Sequence, residues 1–129
     1  MEKRYVEGTW EKNRAFSPAV VVTGGRMIFV AGHGGFVDDD GKSLAGNFEA
    51  QARQTFRNIE ATLQRAGASL KDLVTMTVFI TDSRYGQQFT DLRRELFREC
   101  FPASALITCD GLARTEMLVE VQGIAMVAA

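Results

Sequence analysis

The fold is decided by residues 47–81, which read NFEAQARQTFRNIEATLQRAGASLKDLVTMTVFIT. The first half predicts an amphipathic helix, because apolar residues recur there at steps of three and four. Asn47 is a good N-cap, and Gly67 suits the left-handed position that ends many helices. The predicted buried stripe is Ala52, Phe56, Ile59, Leu63 and Ala66, and the predicted outer face carries Gln51, Arg57, Glu60 and Gln64. The helix is therefore expected to lie on a β-sheet.

The second half of this stretch predicts a β-strand from Leu73 to Thr81. Its residues alternate along a run rich in β-branched side chains, the pattern of a strand with two different faces. One face would carry Val74, Met76, Val78 and Ile80, and the other would carry mainly threonines with Phe79. A helix followed closely by such a strand indicates a domain that mixes both elements.

Further elements follow on both sides of residues 47–81. Apolar segments at residues 18–23 and 26–31 flank Gly24-Gly25, which predicts a β-hairpin that ends in the glycine-rich turn 32–35. A second helix is expected after Asp82 or Ser83, and Pro102 prevents its continuation. Its predicted core stripe is Phe89, Leu92, Leu96 and Cys100; strands are predicted at residues 103–109 and 116–127, with a possible edge strand near Tyr5.

This order, ββ-α-β-α-ββ, predicts an α+β fold with a mixed sheet of about six strands and two helices on one face. The 129 residues suit a single domain, residues 1–129. The face opposite the helices would also carry apolar residues, which favours burial against copies of the same chain. The alternative is that the outer strands expose scattered apolar side chains, as many monomers do.

Composition restricts the possible partners. Fifteen basic and sixteen acidic residues are interspersed, so a nucleic-acid partner is not expected. No apolar run approaches the roughly 20 residues needed to cross a bilayer, so a membrane partner is not expected either. Residues 1–14 show no signal-peptide core, and Cys100 and Cys109 form no disulfide framework, so a cytoplasmic location is expected.

Few residues offer chemistry. The single histidine, His33, and the absence of CxxC or HExxH spacing predict no metal site and no cofactor. We expect His33, which lies among glycines, to have a structural role. Glu120 is the exception, since it lies in the apolar final strand with Leu118 and Gln122 on its own face. A carboxylate there is a candidate for proton transfer, although a solvated position is the simpler interpretation of Glu120 alone.

The chain from Phe16 onward closely resembles the reactive-intermediate deaminase (Rid, or YjgF) family. The resemblance rests on RMIFVAGHGG (26–35), AQARQ (50–54), DLVTMTVFITD (72–82), FPA (101–103) and EVQGIA (120–125). It implies a chorismate-mutase-like fold, a homotrimer, and small-molecule pockets in the clefts between subunits. It also implies hydrolysis of a small 2-imino or enamino acid to a 2-oxo acid and ammonia.

The resemblance also assigns residues. Glu120 matches the family glutamate that orients and activates water, Gly32 matches a backbone that lines the pocket, and Thr90 lies near a polar pocket position. Ser104 stands where an arginine usually grips the substrate carboxylate, and a neutral hydroxyl does not replace that charge. Ala19 and Ala31 also differ from the residues common in the family. An altered substrate specificity is therefore expected.

A replacement cation is available on the second helix. Arg93 and Arg94 follow Thr90 at i+3 and i+4, so either can share its face. Solvated arginines that pair with Asp91 or Glu95 are the simpler interpretation of each. The leading hypothesis is an imine or enamine deaminase with catalytic Glu120 and a substrate-binding set of Ser104, Gly32, Thr90 and Arg93. The alternatives are a non-catalytic, small-molecule-binding homotrimer and a ribonuclease, which the near-neutral charge does not favour.

Overall fold

Six strands and two helices form along residues 1–129, all of which the computed structural model describes. Their order confirms the predicted ββ-α-β-α-ββ arrangement. The elements are β1 (Glu2–Tyr5), β2 (Val20–Thr23), β3 (Arg26–His33), α1 (Phe48–Arg65), β4 (Leu73–Ile80), α2 (Gly86–Phe97), β5 (Ala103–Thr108) and β6 (Val119–Val127). A 3-10 turn, Glu11–Arg14, lies between β1 and β2.

The strands divide into a pair, β1–β2, and a four-stranded sheet in the order β3-β6-β4-β5. Strands β4 and β5 run parallel and the other neighbours run antiparallel, so the sheet is mixed, as predicted. The predicted hairpin of β2 with β3 is wrong. Gly24 and Gly25 do take positive φ angles, but they redirect the chain, so that β2 pairs with β1 and β3 pairs with β6.

Both helices pack on one face of the four-stranded sheet, which places the core between them. Asn47 caps α1 by accepting a hydrogen bond from the Ala50 amide, and Gly67 follows its end with a φ of +80°. The sixteen core residues include Phe56, Ile59 and Leu63 of α1, Phe89 of α2, and Met76, Val78 and Ile80 of β4. The predicted α1 stripe and the alternation of β4 are therefore confirmed, apart from Ala66, which lies just past the helix and is partly exposed.

Two positions depart from the expected helix faces. Gln51 was expected on the outer face, but it is fully buried and forms hydrogen bonds with the main chain of Leu44, Glu116 and Leu118. Its amide satisfies backbone groups that the segment before β6 leaves unpaired. Cys100 was expected in the α2 stripe, but α2 ends at Phe97 and Cys100 is exposed with a φ of 53°.

The face of the sheet opposite the helices is open in a single chain. Phe29 of β3 is 75% exposed there, and Met27 and Ile107 are also exposed. In β3, Met27 and Phe29 alternate with the partly buried Ile28 and the buried Val30, as the two faces of a strand require. No helix of the protein is both long and apolar enough to cross a membrane.

Candidate functional site

A small pocket forms where the N-terminal 3-10 turn meets α2 and the start of β5. Its volume is about 230 Å³, and we call it the arginine pocket. It is lined by Trp10, Arg14, Phe16, Thr90, Arg93, Ser104 and Leu106. Three of the four residues predicted to bind substrate, Ser104, Thr90 and Arg93, therefore lie together.

Arg93 is the central residue of the arginine pocket and is only 2% exposed. Its Nη1 donates a hydrogen bond of 2.6 Å to the Ser104 hydroxyl and a weaker one of 3.9 Å to the Met76 sulfur. Its Nη2 donates to the Arg14 carbonyl at 3.1 Å, whereas the buried Nε has no acceptor. Because a guanidinium has five N–H donors, the Nε–H and one Nη2–H remain unused. Nε and Nη2 form one edge of the group, and Nε on this edge is buried without an acceptor from the chain.

No carboxylate lies within ion-pair distance of Arg93, which is unusual for a buried charge. Burial lowers the pKa of Arg93 to about 10, and the charges of Arg14 and Arg94 act in the same direction. The rings of Phe16 and Phe89 lie 5.7 Å and 5.3 Å from its guanidinium carbon, which offsets part of the lost hydration. A bound anion would therefore be favoured strongly at this position.

The periodicity of α2 explains why Arg93 is buried and Arg94 is not. Phe89, Arg93 and Phe97 recur at steps of four, so Arg93 lies inside the buried stripe. Arg94 is turned outward, where it pairs with Asp91 and donates to the Asn13 carbonyl. Arg93 and Arg94 looked equivalent in the sequence, but only Arg93 is buried in the structure. Its spacing of four residues from the apolar Phe89 was the sequence signal that distinguishes it from Arg94.

Glu120 and Gly32, the other two predicted site residues, are in direct contact. A β-bulge sets Ala31 and Gly32 of β3 opposite the single residue Gln122 of β6, which brings Gly32 under the Glu120 side chain. A Cβ at position 32 would lie 2.6 Å from Glu120 Oε2 and 2.9 Å from its Cδ. Only glycine therefore leaves room for the carboxylate in this position. We call Gly32 and Glu120 the glutamate site.

The arginine pocket and the glutamate site lie on opposite faces of the sheet. Ser104 is the neighbour of Met76, and Glu120 is the neighbour of Phe79, both on β4. Met76 and Phe79 are three residues apart, so their side chains and those of their neighbours point to opposite sides. A single small molecule does not reach both groups within one chain.

Other candidate residues have structural explanations. The Nδ1–H of His33 donates to the Ala31 carbonyl at 2.7 Å, and its Nε2 lies 2.8 Å from the Thr62 hydroxyl, so the ring braces the bulge against α1. Arg114 is exposed and lies over the Phe36 ring. Ala19 and Ala31 are exposed, and no group of three or more His, Cys, Asp and Glu side chains is placed to hold a metal ion.

The largest surface depression, about 570 Å³, is elsewhere, on the outer side of the helices. Its arginines are already paired, Arg53 with Glu95 at 2.7 Å and Arg57 with Asp39 at 2.5 Å. These ion pairs leave little unsatisfied charge to bind a ligand. The arginine pocket is smaller, but its lining residue Arg93 carries the one buried side-chain polar atom without a partner, Nε. The smaller pocket is therefore the stronger candidate for a binding site.

Fold and site together define a small α+β domain with a buried cation in a pocket and a carboxylate on the open sheet face. A family profile described as Endoribonuclease L-PSP matches residues 10–127, and the chain belongs to this family, the Rid or YjgF family. A Rid-family protein of Yersinia pestis, YyfB, superposes with a TM-score of 0.86 over 98% of this chain and 100% of that one, at 22% identity. This likeness confirms the expected chorismate-mutase-like fold.

Two curated relatives extend the comparison. A RutC family protein of Pyrococcus abyssi is 33% identical over 110 residues, which cover 85% of this chain and 84% of the relative. A 2-iminobutanoate/2-iminopropanoate deaminase of the mite Dermatophagoides farinae is 26% identical over 112 residues, or 87% and 85% of the two chains. The chain is thus similar across most of its length to a protein named as an imine deaminase.

Proposed function

We propose that the protein is a homotrimeric hydrolase that converts small 2-imino or enamino acids into 2-oxo acids and ammonia. The observation that carries the proposal is the buried guanidinium of Arg93, which has no carboxylate partner, faces a pocket and donates to Ser104. This arrangement supplies the positive charge that Ser104 itself lacks. The similarity to a named imine deaminase supports the same chemistry.

The site requires two subunits, because the arginine pocket and the glutamate site face opposite sides of one sheet. In the proposed assembly the open sheet face of one subunit lies beside the arginine pocket of the next. Burial of Phe29, Met27 and Ile107 would stabilise this contact through the hydrophobic effect. A head-to-tail contact of this kind closes into a ring, as a homotrimer does.

In the proposed mechanism, Arg93 and Ser104 hold the substrate carboxylate, with Thr90 in the pocket wall, and the backbone at Gly32 of the partner subunit faces the imine group. Glu120 of the partner subunit accepts a proton from water as the water oxygen bonds to the imine carbon. The imine nitrogen takes up the proton that Glu120 of the partner subunit accepted, which gives the carbinolamine. The hydroxyl proton of the carbinolamine then moves to nitrogen as the C–N bond breaks, the C=O bond forms and ammonia leaves. One water is consumed, and one 2-oxo acid and one ammonia are released.

An RNA substrate suits the surface less well. Several exposed arginines are paired with carboxylates and are therefore less available to phosphates, as in Arg53–Glu95, Arg57–Asp39 and Arg84–Asp82. Binding to RNA depends on a net positive surface that releases counterions, and the chain carries a net charge of −1. The pocket favours a small anion instead.

The proposal is tested with 2-imino acids that an amino-acid oxidase generates in place, with semicarbazide as a competing trap. We expect catalytic amounts of the protein to suppress semicarbazone formation and to accelerate the release of 2-oxo acid. A trapping rate equal to that in buffer alone would contradict the proposal. Stabilisation by small carboxylates without turnover would indicate instead a non-catalytic binding protein.

The contact between Gly32 and Glu120 gives a second prediction. In Gly32→Ala the new methyl group would displace the Glu120 carboxylate, because the end of a flexible side chain moves more easily than the strand backbone. We expect a melting temperature within a few degrees of the wild type and a fall in kcat of roughly 10-fold or more, since a misplacement of about 1 Å is costly in catalysis. Gly111→Ala is the matched control, because a Cβ at Gly111 meets no atom within 4 Å. Equal activity in both variants would show that the position of the carboxylate is unimportant.

A further inference from the structure

Arg14 is a second cation in the arginine pocket, beside Arg93. It is partly buried, and its Nη1 donates to the Gln87 side-chain oxygen at 2.8 Å. Like Arg93, it has no carboxylate within ion-pair distance. The other arginines without such a partner, Arg4, Arg26, Arg65 and Arg98, are all exposed to solvent. Arg14 and Arg93 are thus the two sheltered arginines that nothing in the chain neutralises.

The two charges are close enough to oppose each other. After burial, the charge of Arg14 is the largest influence that lowers the pKa of Arg93. No acidic residue lines the pocket, so this repulsion is not relieved within the chain. Gln87 holds Arg14 with a neutral oxygen, which fixes its position and leaves its charge intact. A pocket built this way favours a ligand with two negative charges over a ligand with one.

We infer that the preferred substrates are 2-imino dicarboxylic acids, with one carboxylate on Arg93 and Ser104 and the second beside Arg14. The inference rests on the proposed hydrolysis and narrows its substrate class. Trp10, Phe16 and Leu106 form the apolar part of the wall and leave space for the short carbon chain between the two acids. A 2-imino acid with a neutral side chain would leave Arg14 unpaired, so it would bind less tightly.

The test compares the imines of aspartate and glutamate with those of alanine and leucine, each formed by an amino-acid oxidase. We expect the dicarboxylic imines to have kcat/KM values about 10-fold higher or more, the usual effect of one charge-assisted contact. Arg14→Gln should reduce this ratio towards one. The Arg14→Gln variant keeps the main-chain carbonyl of residue 14, so the hydrogen bond from Arg93 that holds the 3-10 turn against α2 is retained.

Arg94→Gln is the matched control for Arg14→Gln. Like Arg14, Arg94 lies near Arg93, and its side chain binds the Asn13 carbonyl in the 3-10 turn. Unlike Arg14, it is exposed and lies outside the pocket. We expect Arg94→Gln to keep the ratio of the wild type. An equal loss of selectivity in both variants would indicate only a general effect of charge and would overturn the inference.

A binding measurement separates this inference from the proposed hydrolysis. Calorimetry with 2-oxoglutarate, 2-oxobutanoate and inorganic phosphate should show tightest binding of 2-oxoglutarate and a selective loss in Arg14→Gln. Turnover of imines without selectivity for dicarboxylates would overturn the inference and leave the hydrolysis intact. Arg14-dependent binding of 2-oxoglutarate without any turnover would support a dicarboxylate site at Arg14 and Arg93 but would contradict the hydrolysis. Equally tight, Arg14-dependent binding of phosphate would indicate a general dianion site and overturn the dicarboxylate assignment.

Discussion

Glu120→Gln is expected to lower kcat for imine hydrolysis by roughly 10²–10⁴-fold, the range over which a positioned general base contributes. Glutamine has nearly the same shape, so the side chain can still lie over Gly32 while it no longer accepts a proton from water. KM should change little, because the substrate carboxylate is bound at Arg93 rather than at Glu120. Steady-state kinetics with the trapped-imine assay measures both quantities.

Moving the carboxylate along its own strand provides the matched control. Gln122 lies two residues from Glu120 on the same face and is exposed, so the double variant Glu120→Gln/Gln122→Glu keeps the charge of the face. We expect it to be as inactive as Glu120→Gln alone. Recovery of activity in the double variant would mean that a general negative charge on this face is enough. Full activity of Glu120→Gln would remove the glutamate from the mechanism.

The fold was largely predictable because the local patterns are strong. Asn47, Gly67 and the apolar stripe between them define α1, and the alternation from Leu73 defines β4. Strand pairing was less predictable. The turn at Gly24-Gly25 is typical of a hairpin, yet β2 pairs with β1, because pairing depends on long-range contacts that local turn chemistry does not specify.

Errors at single residues have the same origin. Gln51 was placed on the outer face by its polarity, but it is buried because it binds main-chain groups far away in the sequence, at Glu116 and Leu118. Cys100 was assigned to α2 by a regular spacing, although α2 ends at Phe97 before that spacing is completed. Periodicity assigns a residue to the buried or exposed face reliably only inside a helix or strand. A polar residue is expected in solvent only where no group distant in the sequence can form hydrogen bonds with it.

The resemblance to the family selected the candidate residues Glu120, Gly32, Ser104 and Thr90, but it did not show how they are arranged. It also gave no physical reason to prefer Arg93 over Arg94. A buried arginine without a carboxylate has no local signature, because its burial depends on how α2 is rotated against β5 and the 3-10 turn. Likewise, only the strand register shows that Ser104 and Glu120 lie on opposite faces.

Arg93→Met is expected to raise KM for 2-imino acids roughly 10–100-fold, the effect of losing a charge-assisted pair with a carboxylate. Methionine fills similar space between Phe16 and Phe89 without the buried charge. Loss of that unpaired charge offsets the lost hydrogen bonds to Ser104 and Arg14, so we expect the free energy of unfolding to fall by no more than about 1 kcal/mol. Kinetics and denaturant unfolding measure the two effects separately.

Two variants decide between substrate binding and a purely structural role of Arg93. Arg93→Lys keeps the charge but loses the planar edge, so KM should lie between those of the wild type and Arg93→Met. Arg94→Met removes a neighbouring arginine that also holds the 3-10 turn, and it should leave KM unchanged. If Arg93 had only a structural role, Arg93→Met would have a much lower free energy of unfolding than the wild type. KM would then change equally in the Arg93 and Arg94 variants.

Mixing two impaired variants tests whether Arg93 acts together with Glu120 of another subunit. When Arg93→Met and Glu120→Gln chains are unfolded together in equal amounts and refolded, subunits assort at random. A site then contains an intact Arg93 from one chain and an intact Glu120 from its neighbour in about a quarter of the interfaces of a closed ring. At substrate concentrations below KM, we expect the mixture to recover about that fraction of wild-type activity, although each variant refolded alone keeps about a tenth of it or less. No recovery above the sum of the separate variants would mean that both residues act within one chain, which would contradict a site shared between subunits.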